Sequence, residues 1–291
     1  MSGRICIGVS GWTYKPWRGV FYPERLAQKS ELAYAAGQLS SIEINGTFYS
    51  LQTPASFGRW ADETPAGFVF SVKAPRYITH IRRARDVAGP VANFLASGLL
   101  RLGTRLGPLL WQFPPSFRYD PVQMEAFLAL LPHDPQEVLE TARRRDDWMD
   151  KRAWLESPPP APLRHAIEIR NASFATPEFI ELLRRYRVAL VCADTAAWPS
   201  LMDLTADFVY CRLHGTGERY AEGYDAEAIG SWARRAQVWA QGGEPADAVR
   251  LTPASPPAPG GRDVFIYFDN DNKVRAPIDA RSLIERVAAG A

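Results

Sequence analysis

The chain has little cysteine, no long hydrophobic run and almost no net charge, and each absence argues against a class of protein. Its 291 residues include 3 cysteines without paired spacing, which argues against a disulfide framework or a cysteine zinc site. No apolar run approaches the length that a membrane span needs. Residues 1–4 lead straight towards a strand with no signal-peptide pattern. We therefore expect a cytoplasmic protein with buried thiols and no contact with a membrane.

Nucleotide and hydrolase motifs are also missing. The sequence contains no P-loop, no G-x-S-x-G nucleophile elbow and no G-x-G-x-x-G after its first strand. The formal net charge of +2 indicates no global field that would attract nucleic acid. A nucleic-acid substrate would also require dense solvent-facing basic residues around the site, and we identify none there. The expected partner is a small molecule, and nucleic acid stays a disfavoured alternative.

Short apolar runs alternate with longer helical patterns along the whole chain. We predict helices near 26–37, 55–61, 91–102, 121–131, 177–186, 225–241 and 278–289, with start signals at Asp120-Pro121 and Thr176-Pro177. The eight predicted strands are 5–9, 41–45, 68–73, 109–112, 166–170, 189–193, 208–213 and 264–268. Regular βα alternation implies parallel strands with right-handed crossovers. Eight such units in one chain predict an α/β fold, a single (β/α)8 TIM barrel over residues 1–291.

Two segments are long for connections between a helix and a strand. Residues 132–163 contain a run of three arginines and end in three prolines, and residues 242–262 are rich in proline. Both precede a strand, so in a barrel they lie on the N-terminal face. We predict an insertion with a short extra helix for the first segment and a flexible loop for the second.

Pairs of polar residues two positions apart interrupt three of the apolar strands. They are Glu43 with Asn45, Glu168 with Arg170, and Arg212 with His214. Residues i and i+2 of a strand point to one face, so each pair directs two polar groups the same way. Further polar residues lie at or just past the ends of the other strands. In a TIM barrel those ends form the active-site face, so we predict one ring of polar groups there.

The chemistry of this ring suggests two sets of roles. Acids and bases can transfer protons, while cations, amides and aromatic rings can bind anions or sugar faces. The candidate catalytic residues are Glu43, Glu168, Asp194 and His214. The candidate substrate-binding residues are Trp12, Tyr14, Asn45, Lys73, His80, Gln112, Arg170, Arg212, Asp269 and Asn270, with Arg76, Tyr77, Trp17 and Asp271 nearby.

The same residues leave the reaction class open. No cofactor is predicted, but Glu43, Glu168, Asp194, His214 and Asp269 are ligand types that divalent metals use. Structural ion pairs, such as Glu168 with Arg212 or Glu43 with Lys73, would be a further explanation. A general acid–base enzyme, a metal-dependent phosphodiesterase or sugar isomerase, and a barrel that only binds a metabolite all remain open.

Several motifs resemble one family in their order along the chain. They are residues 8–17 with 21–23, 42–49, 70–73 with 78–80, 106–108 with 112–115, 212–215 and 267–271. Together they resemble the YecE-like family, catalogued as domain of unknown function 72. The resemblance implies a single-domain TIM barrel that looks enzymatic and has no established reaction. The chain departs from the family at Asn171 and Phe174, where histidine and tryptophan are usual, so contacts after strand five are expected to differ.

Overall fold

Eight strands follow one another along the chain and close into a barrel in the order β1 to β8. The structure is a computed structural model that describes residues 2–215, 223–270 and 274–290. The strands are β1 Ile5–Ser10, β2 Ser41–Ile44, β3 Val69–Lys73, β4 Leu106–Gln112, β5 His165–Glu168, β6 Ala189–Asp194, β7 Phe208–Leu213 and β8 Asp263–Phe268. Each strand pair with an assigned register, such as β1 with β8 and β4 with β5, is parallel. The predicted (β/α)8 TIM barrel is confirmed.

The helices occupy the segments between the strands. They are α1 Glu31–Gln38, α2 Gly46–Tyr49, α3 Pro54–Asp62, α4 Ala88–Ala96, α5 Pro121–Leu128, α6 Pro135–Arg143, α7 Pro177–Arg185, α8 Ala226–Ala240 and α9 Arg275–Ala288. The two predicted start signals act as expected: the Asp120 carboxylate accepts the backbone N–H of Gln123, and the Thr176 hydroxyl accepts that of Phe179. Each satisfies a donor that a helix leaves open at its first turn.

The chain divides into two compact units. One consists of residues Met1–Ile42 with Ala172–Ala291, and the other of Glu43–Asn171. In the first unit, Tyr210 and Tyr267 lie with ring centroids 5.2 Å apart, and the Tyr267 hydroxyl hydrogen-bonds Ser41 at 2.7 Å. These side chains are fully buried. The buried hydroxyls of Tyr267 and Ser41 are therefore paired with each other, as burial favours.

The second unit shows which strand positions face the helices. Trp111 of β4 packs against Phe94 of α4 and Phe127 of α5 and donates its indole N–H to His165 at 3.1 Å. Because neighbouring residues of a strand point to opposite faces, Gln112 points away from this helical layer. The helix-facing residues build the core, while the alternate set is directed to the barrel interior.

The insertion at 132–163 contains the predicted extra helix, α6. The two ends of the insertion meet beside the start of β5, where the Leu163 N–H donates to the His133 carbonyl at 2.8 Å. Farther along, Asn93 of α4 donates to the Asp146 carboxylate at 2.7 Å and accepts the Asp146 backbone N–H at 2.8 Å. The insertion therefore starts and ends at the N-terminal end of β5, and the Asp146–Asn93 hydrogen bonds hold its middle part against α4.

The proline-rich segment at 242–262 is held by three buried or partly buried charged side chains. Arg262 donates to the carbonyls of Gly242 at 2.6 Å and Pro256 at 3.0 Å. Asp203 accepts two backbone N–H groups of the segment, at 2.9 and 3.0 Å, and Glu244 accepts the Ser255 N–H at 2.6 Å. The flexibility expected from its composition stays a prediction, but hydrogen bonds from Arg262, Glu244 and Asp203 hold the segment in one conformation in this structure.

Candidate functional site

Lys73 is the centre of a group of polar and aromatic side chains in the unit Glu43–Asn171. Its ammonium group lies 4.5 Å from the centroid of the Phe48 ring, and only 8% of the residue is exposed. The Phe48 ring meets His80 edge to face, with centroids 5.0 Å apart. A desolvated cation on an aromatic face is held in place while keeping its charge available to an anion. We call Asn45, Phe48, Lys73, His80, Gln112, Glu168 and Arg170 the Lys73 cluster.

His80 of this cluster is kept neutral. Burial, followed by the positive charges of Lys73, Arg170 and Arg76, lowers the pKa of His80 to about 4, with Glu168 acting in the opposite direction. The Gln112 amide N–H faces Nε2 of His80 at 3.4 Å, and the Thr79 hydroxyl contacts Nδ1 at 2.9 Å. An amide N–H can only donate, so Nε2 is the acceptor and Nδ1 carries the hydrogen.

Glu168 ends β5 with a carboxylate that is closed off from solvent. The residue is 0% exposed, and its Oε1 accepts hydrogen bonds from Nε of Arg170 at 2.9 Å and Nη2 at 2.8 Å. Arg170 keeps 19% of its side chain exposed. A charge-assisted pair of this kind fixes both groups while leaving one face of the guanidinium accessible. The predicted pairing of Glu168 with Arg170 is present as a direct contact, although Arg170 lies two residues beyond the end of β5.

Glu43 and Asn45 follow each other at the end of β2. Glu43 is 0% exposed. Asn45 lies at the first turn of α2, and its Oδ1 is buried without a hydrogen-bond partner among the described residues. An unsatisfied buried carbonyl costs free energy. This oxygen is therefore a buried acceptor of the Lys73 cluster whose partner is not among the described protein atoms.

A second group forms around Asp269 in the other unit. Its Oδ2 accepts from Nη2 of Arg212 at 2.9 Å and lies 3.3 Å from Nδ1 of His214. Nη2 of Arg212 also reaches the Ser10 hydroxyl at 3.3 Å, and Trp198 meets the His214 ring edge to face at 5.0 Å. We call Ser10, Trp198, Arg212, His214 and Asp269 the Asp269 cluster. A histidine oriented through Nδ1 by a carboxylate is the arrangement that general bases use.

Arg212 is buried deeper than its two partners in the Asp269 cluster. Arg212 is 0% exposed, whereas Asp269 has 29% of its side chain exposed and His214 has 6%. Its contact with Asp269 orients that carboxylate, which in turn lies against His214. The predicted role of Arg212 in binding a substrate stays a prediction.

Two further predicted residues contact helices. Asp194 ends β6 and accepts the indole N–H of Trp232 in α8 at 3.2 Å. Asn270 is 4% exposed and donates to the Asp279 carboxylate of α9 at 2.8 Å, and burial raises the pKa of Asp279. These contacts give both residues a structural task, and their catalytic and binding roles stay predictions. Asp271 lies outside the described residues.

Trp12 and Tyr14 follow β1 and are partly exposed. The Tyr14 hydroxyl donates to the Ser10 carbonyl at 2.7 Å, and the Tyr14 ring lies 4.8 Å from that of Trp17. Gly11, which separates Ser10 from Trp12, has a φ of +79°, and a Cβ there would lie 2.7 Å from the Tyr14 hydroxyl. Glycine is therefore required for this turn, which holds the tyrosine against the end of β1.

The predicted metal ligands have other partners in the structure. In residues 2–215, 223–270 and 274–290, no three His, Cys, Asp or Glu side chains are grouped so as to hold a metal ion. Glu168 and Asp269 instead bind arginines.

No helix in the described part of the chain is long and apolar enough to cross a membrane.

The motifs and the barrel agree with a comparison against known families. The model of a protein family described as "Protein of unknown function DUF72" matches residues 6–291. The chain belongs to the DUF72 family. The resemblance of the sequence motifs to the YecE-like family is thereby confirmed.

Curated relatives match this DUF72 chain over a shorter stretch. UPF0759 protein YunF of Bacillus subtilis is 27% identical over 118 residues, which are 39% of this chain and 41% of that protein. UPF0759 protein YecE of Escherichia coli K12 is 31% identical over 113 residues, which are 39% of each chain. The chain thus matches about two fifths of the length of these relatives.

Two solved DUF72 structures have the same fold. The protein from Thermotoga maritima has a TM-score of 0.69 and 24% identity, covering 98% of this chain and 99% of that one. A protein from Enterococcus faecalis has a TM-score of 0.66 and 17% identity, covering 98% and 95%. At these identities the likeness establishes the fold alone.

The departures from the family pattern after β5 have structural tasks here. Asn171 donates its amide N–H to the Pro115 carbonyl at 2.6 Å and so ties the β5 end to the loop after β4. Phe174 is fully buried and packs edge to face on Phe179 of α7 at 4.9 Å. The expectation that contacts after strand five use different chemistry remains a prediction.

The sequence reasoning missed three neighbours of the site. Phe48 carries the Lys73 ammonium, Thr79 contacts His80, and Trp198 packs on His214. Phe48 and Thr79 lie within motifs that the sequence displays, so their position next to candidate residues was an available signal. Trp198 lies in the segment after β6, and only the fold brings it to His214.

Proposed function

We propose that this DUF72 protein is an enzyme that performs general acid–base chemistry on a small anionic or polyhydroxylated substrate. The observation that carries the proposal is the contact of His214 Nδ1 with Asp269 at 3.3 Å. A carboxylate at Nδ1 fixes the tautomer in which Nδ1 donates, and Nε2 is then the nitrogen that exchanges a proton with a substrate. The proton therefore passes between Nε2 and the reacting group, while Asp269 stabilises the imidazolium.

The Lys73 cluster supports the choice of substrate class. Lys73 and the exposed part of Arg170 supply positive charge, and the Asn45 side-chain oxygen supplies a hydrogen-bond acceptor that has no partner among the described residues. Such a mixture suits a phosphate or carboxylate attached to a hydroxylated skeleton. Glu168, held by Arg170, is the carboxylate that we propose as a second proton carrier. Trp12 and Tyr14 offer aromatic faces for a sugar ring.

A barrel that binds a metabolite without transforming it is the main alternative, and the test must separate the two. The protein is screened by thermal shift against phosphorylated and carboxylated sugars, because a ligand that binds the native state raises its apparent stability. Each ligand that raises the melting temperature is then incubated with the protein and followed by mass spectrometry and NMR. We expect at least one such ligand to be converted.

Variants assign the two roles. His214→Gln should bind the ligand with unchanged affinity and lose at least about 100-fold in turnover, as expected for removal of a general base. Lys73→Met should weaken ligand binding, whereas Lys151→Met, the same change at an exposed lysine, should not. Ligands that bind tightly and are never converted would favour the binding barrel, and undiminished turnover by His214→Gln would refute the proposed base.

A further inference from the structure

The loop between β3 and α4 has an unusual surface. Residues 74–87 include Arg76, Arg83 and Arg85, all exposed. Tyr77 is 48% exposed and Ile81 is 59% exposed. We call residues 74–87 the arginine loop. The sequence led us to expect no dense group of exposed basic residues near the strand ends. The arginine loop is such a group, because its arginines follow Lys73 at the end of β3.

The surface continues beyond this loop on both sides. On one side, the Phe48 ring contacts both His80 and Tyr49, with the Tyr49 centroid at 5.2 Å, and Tyr49 is 74% exposed. On the other side, Arg83 donates to the Ser116 hydroxyl at 3.4 Å, and exposed Arg118 lies two residues further along that segment. Exposed aromatic rings and cations are therefore linked to the arginine loop on both sides, through Phe48 and His80 on one and through Ser116 on the other.

Most of the positive charge on this face is not neutralised. Asp86 pairs with Arg82 at 3.2 Å. Arg83 and Arg85 instead donate to neutral oxygens, of Ser116 at 3.4 Å and Gln123 at 3.3 Å. Since neutral acceptors leave a guanidinium charge uncompensated, the face carries a net positive potential that attracts polyanions.

The arginine loop is held in a strained, defined conformation. Arg83, Ala84 and Asp86 have φ values of 50°, 62° and 50°, which cost about 1–3 kcal/mol each for residues with a side chain. The Ala84 N–H donates to the Ile78 carbonyl at 3.0 Å, and the Gln123 amide donates to the Arg83 carbonyl. Contacts of this kind keep the arginines in place before any partner arrives.

We propose that the arginine loop, together with Tyr49 and Arg118, binds single-stranded nucleic acid. Proteins bind single strands by combining cations that follow the phosphates with aromatic side chains on which unpaired bases stack. Tyr49 and Tyr77 provide the rings, and the exposed arginines provide the charges. A duplex keeps its bases stacked on one another, so the exposed rings would have no role in binding it. The loop also contains His80 of the Lys73 cluster, but the proposal depends on Tyr49, Tyr77 and the exposed arginines, to which the acid–base chemistry above assigns no role.

The charge part is tested with a fluorescein-labelled 12-nucleotide oligodeoxythymidylate by fluorescence anisotropy between 50 and 200 mM salt. The triple variant R76A/R85A/R118A should bind at least tenfold more weakly at the lower salt concentration. Because each phosphate contact of a single strand contributes roughly 0.7 to the slope of log K against log salt, that slope should fall by about 2.

A charge-matched control removes three exposed arginines from the other compact unit. R25A/R281A/R286A has the same net charge as the test variant and should bind within about twofold of the unmodified protein, since charge outside the binding surface is largely screened at these salt concentrations. Equal weakening by both triple variants would overturn the proposal, because binding would then depend on overall charge alone. No binding by the unmodified protein at 50 mM salt would also overturn it.

The stacking part has its own pair of variants at an exposed position that is not needed for folding. Tyr49→Leu should weaken binding at least fivefold, because a stacked base loses its aromatic partner. Tyr49→Phe keeps the ring and should bind normally. A duplex of the same length should bind more weakly than the single strand. Equal affinity for both, or unchanged binding by Tyr49→Leu, would refute the stacking that defines the proposal.

Discussion

His80 should remain neutral in the folded protein far below the pH at which a free histidine takes up a proton. Burial and the charges of Lys73, Arg170 and Arg76 lower its pKa to about 4, whereas histidine ordinarily titrates near 6.5. At pH 5.5 about 3% of a group with a pKa near 4 is protonated, compared with about 90% at a pKa of 6.5. The Lys73 cluster thus presents a neutral imidazole to a ligand throughout the physiological range.

The lowered pKa also links folding to pH, and the sign follows from proton counting. Between pH 6.5 and 4 the unfolded chain binds a proton at this position and the folded chain does not, so stability falls as the pH falls. For one such group the loss between pH 7 and pH 5 is about 1.8 kcal/mol, and solvent at the partly exposed ring reduces it towards about 1 kcal/mol.

The assay is an NMR titration of the imidazole Cε1–H signals, which is tractable because the chain has 4 histidines. His80→Gln identifies the His80 signal by its disappearance. Lys73→Met should raise the pKa of His80, because it removes the largest charge contribution, and Lys151→Met should leave it unchanged. A His80 pKa near 6.5 in the unmodified protein, or no response to Lys73→Met, would refute the reasoning.

Three further predictions concern stability. Burial lowers the pKa of His165 to about 3, so the unmodified protein should lose about 2 kcal/mol of unfolding free energy between pH 7 and 5 because of this one histidine. His165→Gln should lack that loss in urea unfolding, and the same pH dependence in the variant and the unmodified protein would contradict this. Asp269→Asn should cost about 3 kcal/mol by urea unfolding, because it leaves the fully buried Arg212 without its carboxylate, and a cost below about 1 kcal/mol would show that the guanidinium is otherwise satisfied. Arg262→Lys should lower stability by about 2 kcal/mol and speed hydrogen exchange of the Ser255 N–H, since one ammonium cannot replace the guanidinium contacts with two carbonyls; unchanged exchange would contradict the role of Arg262 in holding that segment.

The fold could be predicted from the chain because its signals are local. Eight apolar runs, the helical patterns between them, and start signals such as Thr176-Pro177 depend only on neighbouring residues and their periodicity. The strand ends were predicted to within about three residues, and the extra helix inside the insertion was foreseen. The frame of hydrogen bonds around the segment 242–262 was not, because Asp203 reaches it from a sequence-distant position and Arg262 closes it onto Gly242, twenty residues earlier.

The candidate site could be predicted in part. Strand parity predicted that Glu168 and Arg170 point the same way, and the structure has them in contact, although β5 already ends at Glu168. Parity could not tell that Asp269 binds both Arg212 and His214, because that pairing depends on the register of β7 against β8. Nor could it direct Asp194 to the α8 residue Trp232, since the sequence does not state which face of a strand end meets a helix.

By itself, the sequence determined that the chain is an α/β barrel of the DUF72 family and which residue types stand at its strand ends. The alternation of apolar and helical segments and the order of the motifs can both be read directly from the linear sequence. Only the tertiary structure decided which of those residues are partners, how far each is buried, and which arginines and tyrosines of the arginine loop are exposed. Charge, hydrogen bonding and desolvation act through space, so the pKa of His80 and the environment of Arg212 depend on side chains that are distant in the sequence.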